Sequence, residues 1–154
     1  MIFQKILVPL DGSEHSERAL EAAVQIAKKF NSKLVLLTAY RVSVAPVTNP
    51  ELTMHTPVIV PDASSTTLAI ETTRNLSKKI LSEAEAKVRS ETIEVETELA
   101  EGNAVEEIVK KSKEGNFDLI VMGARGLSTI KKLFIGSISE GVIKNSPCPV
   151  LIVK

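Results

Sequence analysis

Apolar residues along the chain switch between short unbroken runs and helical spacing. Residues 2–8, IFQKILV, form an apolar, β-branched run that stops at Pro9 and predicts a buried strand. Ser13 follows as a candidate cap for a helix from Glu14 to Phe30, in which Ala19, Ala22, Ala23, Ile26, Ala27 and Phe30 make one apolar face. After a break at Asn31 and Ser32, residues 33–40, KLVLLTAY, read as a second strand. Residues 41–65 carry Pro46, Pro50, Pro57 and Pro61 among Thr, Ser and Asn without a sustained period, which predicts a long loop. From Thr66 to Arg89 the positions Leu68, Ile70, Leu76, Ile80, Leu81, Ala84 and Val88 predict a long helix with a charged outer face. In TIEVETEL, residues 92–99, Ile93, Val95, Thr97 and Leu99 fall on one side, as in a strand open to water on the other. Asn103 is a candidate cap for a helix to Lys113 that ends near Gly115. DLIVMG is a further buried run, Ser137 to Asn145 can form a helix that Ser137 would cap, and PVLIVK is a last strand.

The resulting order, β-α-β-loop-α-β-α-β-α-β, implies right-handed crossovers and a parallel sheet. The expected fold is α/β: a doubly wound five-stranded parallel sheet with helices on both faces, Rossmann-like, as one domain over residues 1–154. With a strand order of 3-2-1-4-5, the winding reverses between strands one and four, and ligands bind beyond the carboxyl ends of the strands at such a reversal. The segments that follow those two strands are PLDGS and GARG, the most glycine-punctuated turns in the chain.

Composition narrows the function. Nineteen basic side chains balance 19 acidic ones, which leaves no electrostatic footprint for nucleic acid or an anionic membrane. No signal-peptide pattern or transmembrane-length run is present, and Cys148, the one cysteine, has neither a disulfide partner nor companions for a zinc site. These features place the protein in the cytoplasm as an expectation.

Three of the seven glycines fall within fourteen positions, spaced as Gly123, two residues, Gly126, nine residues, Gly136, and Ser137 follows directly. Glycine turns after a buried strand can aim backbone N–H groups at an oxyanion, and the start of a following helix favours phosphate. Ser137 and Ser139 would add hydroxyl donors. The spacing alone is equally met by Gly126 and Gly136 merely closing turns. Other phosphate signatures are missing: there is no G-x-x-x-x-G-K-[ST], and no G-x-G-x-x-G follows the first strand.

The segments KILVPLDGSEHSERALEAAVQIAKKF, LVLLTAY and DLIVMGARGLSTIKKLFIGSISEGVIKNSPCPVLIVK, with the spacing G-x2-G-x9-G-[ST], resemble the ATP-binding branch of the universal stress protein family. Residues 41–65 carry no motif that aligns. The resemblance implies that Gly126, Gly136 and Ser137 hold phosphates, with Ser139 nearby. It implies that Pro9, Leu10 and Asp11 border the nucleoside, and that Asp11 lies near the ribose and helps to hold a divalent ion, Mg2+ or Mn2+, through water. Ala39 stands where the family places a small apolar contact to adenine, and Met122 and Gly123 complete the pocket wall. Arg125, inside the turn, and Ile138, at the start of the last helix, complete the expected set. The ligand implied is ATP.

Several residues have plainer readings. Asp11 would also serve as an Asp-Gly turn residue bonded to its own backbone, and Arg125 as a solvated loop cation. His15 and His55 read as surface residues, Lys131 and Lys132 as a solvated helix face, and Ile130, Leu133 and Phe134 as core. Cys148 reads as a small buried hydrophobe rather than a nucleophile. The expected function is a cytoplasmic ATP-binding stress-response module acting on an unidentified protein partner. The alternatives are a slow ATPase or phosphoryl- or adenylyl-transferring enzyme, and a structural dimer that binds no nucleotide. The last strand, an apolar sheet edge, is expected to pair with its own copy in a homodimer, and the resemblance points the same way.

Overall fold

A computed structural model of the chain describes residues 3–41, 63–126 and 135–154. His55, Ile130, Lys131, Lys132, Leu133, Phe134 and most of the expected loop over 41–65 lie outside the described residues. The elements are β1 (Lys5–Pro9), α1 (Glu14–Phe30), β2 (Lys33–Tyr40), α2 (Ala63–Arg89), β3 (Val95–Glu101), α3 (Ala104–Glu114), β4 (Leu119–Gly123), α4 (Ser137–Asn145) and β5 (Val150–Val153). All five strands are parallel, in the order β3-β2-β1-β4-β5. The expected doubly wound sheet is therefore present, with its reversal between β1 and β4.

The unbroken apolar runs are explained by burial on both faces of the sheet. Ile6, Val8, Leu34, Leu36 and Val121 point towards α1 and α2, where they meet Ala19, Leu20, Ala23 and Val88. Their neighbours along the strands, Leu7, Val35, Leu37, Ile120 and Met122, point to the other side and pack with Ile108 of α3 and Val142 of α4. Strand residues alternate between faces, so a strand covered twice has no polar position to spare.

Local chemistry sets the helix ends. The Ser13 hydroxyl oxygen accepts the Ser16 N–H at 3.2 Å to start α1, and Asn31, at φ 55°, closes it in the left-handed conformation. The Asn103 carboxamide oxygen accepts from the Val105 and Glu106 N–H groups to start α3. Several boundaries differ from expectation, and α2 begins at Ala63, inside the loop expected over 41–65 and ahead of the expected start at Thr66. The strand expected at 92–99 begins at Val95, because Thr92 takes a positive φ of 59° in the turn after α2. Within it Thr97 is exposed and Ala100 is buried on the opposite face, so neither face is simply open to water. In α4 the N-cap is Gly136, and Ser137 is the first helical residue rather than the cap.

The two edges of the sheet are unlike. Along β3, Glu96 pairs with Lys33 at 2.6 Å, Glu98 pairs with Lys111, and Glu101 accepts the Tyr40 hydroxyl at 3.1 Å. The Lys33 ammonium holds the Glu96 carboxyl below its ordinary range, and the two carboxylates of Glu94 and Glu96 raise Lys33 in turn. Along β5 the sequence is VLIV, with Leu151 39% exposed and no charged side chain within the strand.

Candidate functional site

At the carboxyl ends of the strands, where β1 and β4 part company, lies a crevice of about 100 Å³ that opens to solvent. The end of β1 brings Pro9 to it, the turn that follows brings Leu10 and Asp11, and β2 contributes Ala39. Met122, Gly123, Arg125 and Gly126 arrive from the end of β4, and Ile138 and Ser139 from the start of α4. Gly136 and Ser137, also expected at the site, do not line the crevice but immediately precede the residues that do.

Asp11 is fixed by its own turn. One carboxylate oxygen accepts the Ser13 N–H at 3.0 Å, as an aspartate beside a turn commonly does. The other faces Gly126 so closely that a Cβ there would stand 2.5 Å from it. A side chain at residue 126 would displace the carboxylate, so the glycine keeps the two turns in contact. Gly123 has a different reason to lack a side chain: a Cβ would stand 2.7 Å from the His15 carbonyl carbon, in the first turn of α1. His15 is accordingly half-buried, not the surface residue expected, and its Nδ1 is buried with no hydrogen-bond partner among the described residues.

The glycine segment is stitched to both helices. The Ser13 hydroxyl donates to the Arg125 carbonyl at 3.3 Å. The buried Ser139 hydroxyl lies 2.9 Å from the Gly123 carbonyl and 3.3 Å from that of Ala124, so its proton is directed at the main chain. The Gly136 N–H donates to the Ala124 carbonyl at 2.7 Å. These bonds hold the start of α4 against the end of β4. Among the described residues no side chain caps α4, in contrast to the Ser13 cap of α1 and the Asn103 cap of α3. Its first-turn amides, at Ser137, Ile138 and Ser139, are therefore not claimed by a cap residue, and the helix dipole adds positive potential there.

Ladder parity gives β2 a second polar feature. Leu37 meets β1, since its carbonyl accepts the Leu10 N–H at 2.8 Å, and Tyr40 meets the β3 side, since its carbonyl accepts the Gly102 N–H at 2.9 Å. Backbone groups alternate along a strand, so the N–H and C=O of Ala39 face the β1 side. The β1–β2 register ends at Pro9 and Leu37, and β1 supplies no residue to meet them.

Leu37, Ser16, Ala104 and Ile108 also line the crevice and were not anticipated. Leu37 was legible as lying on the same face as Ala39, two residues along. Ala104 and Ile108, one helical turn apart on α3, depend on how that helix crosses the sheet. Among the described residues no group of three or more His, Cys, Asp or Glu side chains could hold a metal ion. No helix among them is long and apolar enough to cross a membrane.

The universal stress protein family model matches residues 2–154. Universal stress protein YxiE of Bacillus subtilis is 40% identical over 157 aligned residues, covering 99% of this chain and 100% of that protein. The structure of universal stress protein UspA from Lactobacillus plantarum has a TM-score of 0.82 to this chain, covering 100% of it and 99% of its counterpart at 23% identity. A universal stress protein solved in complex with cAMP has a TM-score of 0.66 at 29% identity, covering 99% of this chain and 98% of the other. A family-model match along almost the whole sequence and a relative 40% identical from end to end lead to one assignment: the chain belongs to the universal stress protein family.

Proposed function

We propose that this protein is a cytoplasmic adenine-nucleotide-binding module, a single domain that takes ATP with Mg2+ or Mn2+ and whose occupancy modulates contacts with a protein partner. The uncapped start of α4 beside the crevice carries this reading. An anion offered to the amides of Ser137, Ile138 and Ser139 takes the place that a cap side chain holds in α1 and α3, and the dipole favours it. The close approach of Gly126 to Asp11 supports the same use, because it leaves the turn without a Cβ between backbone and ligand.

The base and sugar are accounted for by other groups. Ala39 presents one donor and one acceptor side by side, which match the ring nitrogen and exocyclic amino group of adenine and mismatch the reversed pattern of guanine. The apolar walls, Leu37, Met122 and Ile108, suit a flat ring. Asp11, an acceptor when ionised, suits ribose hydroxyls. With no carboxylate cluster at hand among the described residues, a divalent ion would be held chiefly by the nucleotide's phosphates, with Asp11 reaching it through water. That a relative 29% identical was solved in complex with cAMP agrees with an adenine ligand.

Mass spectrometry of the ligand released on denaturing freshly purified protein, followed by calorimetric titration with MgATP and MgGTP, tests the reading. ATP binding at least tenfold tighter than GTP binding is expected. No adenine nucleotide released and no ATP titration, or equal affinity for the two, would refute it.

The homodimer belongs to the same proposal. Ladder parity turns the backbone of Leu151 and Val153 towards β4, so that Val150 and Ile152 present theirs to the open edge. A second β5 placed about a two-fold axis would satisfy both edges at once.

A further inference from the structure

We propose that the β1–α1 turn couples occupancy of the crevice to helix α2, so that nucleotide binding reshapes the groove between α1 and α2; the inference rests on the functional reading above. The turn has two faces. Leu10, Asp11 and Ser16 line the crevice, and the same three residues line a second cavity of about 390 Å³ between α1 and α2. Asp11 gives one carboxylate oxygen to the Ser13 N–H and turns the other towards Gly126, so a ligand that engages the second oxygen acts directly on the turn.

Gly12, the next residue, has φ +79°, a conformation that L side chains rarely adopt, and it is seated on Ile80 of α2. A Cβ at residue 12 would stand 3.0 Å from Ile80 Cδ1 and 3.3 Å from Cγ1. Backbone and side chain are thus in close contact, and packed groups transmit displacement rather than absorb it. Ile80 is half-buried against the core beneath α1 and α2. Beyond it the groove runs to Leu76, which is 58% exposed, and is bridged where Lys87 of α2 pairs with Glu17 of α1 at 3.7 Å. Pulling Asp11 towards a ligand draws Gly12 along Ile80, and α2 must follow or resist. Coupling of this kind is reciprocal: whatever the ligand does to α2, a change in α2 does to ligand affinity by the same factor.

Hydrogen exchange read by mass spectrometry on the wild type, with and without saturating MgATP, tests one direction. Calorimetric MgATP titration of Ile80→Ala and Ile80→Val tests the other, with Leu76→Ala as a groove residue farther than 4 Å from the Gly12 Cβ position. Slower exchange over residues 76–87 is expected on binding. ATP affinity should fall about fivefold in Ile80→Ala, at the lower end of usual allosteric coupling, less in Ile80→Val, and stay unchanged in Leu76→Ala. A wild type that binds ATP with unaltered exchange in α2, or Ile80 variants with wild-type affinity, or an equal loss in Leu76→Ala, would overturn the relay and leave the crevice reading standing. A wild type that binds no ATP would overturn that reading and the relay with it. Should Ile80→Ala fail to fold, Ile80→Val and the wild-type exchange decide.

Discussion

Replacing Gly136 with aspartate sets the stability of α4 against its affinity for phosphate. Gly136 sits at φ −67° and ψ 157°, ordinary N-cap geometry that any L residue can adopt. A Cβ there would stand 3.3 Å from the Ala124 carbonyl and 3.5 Å from the Arg125 Cα, so the neighbours need yield only a few tenths of an ångström. The new carboxylate can accept the amides of Ile138 and Ser139, and aspartate in place of a capping glycine adds a few tenths of a kcal/mol. Its charge at the helix start adds about 0.3–1 kcal/mol more. The folded state should thus be unchanged or slightly stabilised. A bound phosphate, by contrast, loses at least one charge-assisted hydrogen bond, worth about 1.5–3 kcal/mol, and meets a like charge. ATP affinity should then fall about ten- to a hundredfold. Adenosine, which has no phosphate, should bind as before, and Gly136→Asn, a cap without charge, should fall between. Calorimetry with MgATP and adenosine, alongside urea unfolding, reads all of these quantities. Wild-type ATP affinity in a folded Gly136→Asp protein, or an equal loss for adenosine, would refute a phosphate at this helix.

Ile152→Pro removes an N–H aimed at the open edge while sparing the bonds to β4, so light scattering should report dimers for the wild type and monomers for the variant; a monomeric wild type at micromolar concentration would count against pairing through β5. Tyr40 is the sole tyrosine in a chain without tryptophan, so its ionisation can be followed by absorbance without interference. Burial, then the hydrogen bond to Glu101, raises its pKa above 10.0. The folded state therefore keeps its proton longer than the unfolded chain, and this contribution to stability is full below pH 10.0 and lost as the pH rises through the folded value. Tyrosinate appearing at the same pH in folded and urea-unfolded protein would contradict the buried phenol. Phosphate release from MgATP should be slow over many minutes, since contacts to phosphate and cation leave an attacking water poorly oriented. Rapid turnover that vanishes in Asp11→Ala would favour an enzyme instead.

Much of this architecture was written in local pattern. The runs at β1, β2 and β4 could be recognised because burial on both faces admits no polar interruption, and their alternation with helices implied a parallel sheet, for which the order 3-2-1-4-5 was assumed. The meeting of Asp11 with Gly126 followed from that order, since both turns leave the sheet where its winding reverses. What depended on distant partners was not legible. His15 is half-buried because Gly123, far along the chain, lacks a side chain to keep α1 away. Ala104 and Ile108 enter the crevice through the crossing of α3 over the sheet, which helical spacing does not specify. The exchange of roles between Gly136 and Ser137 turned on a single backbone conformation, and serine is somewhat preferred to glycine as a cap in sequence terms. The onset of β3 was misplaced because Thr92 and Ile93 have strong strand character, while the turn after α2 overrides it.

The unlike edges of the sheet bear on how far assembly can proceed. If β5 pairs with β5, the combined sheet has twice the five described strands of one chain and, among these, leaves β3 at either rim. Each rim then displays Glu96, Glu98 and Glu101, held in place by Lys33, Lys111 and Tyr40. Bringing two such rims together would oppose carboxylates with carboxylates, and their basic partners are already engaged. The polymerisation that an open parallel sheet invites would thus be self-terminating: the uncharged rim is consumed in the first encounter, and the remaining rims repel their own kind.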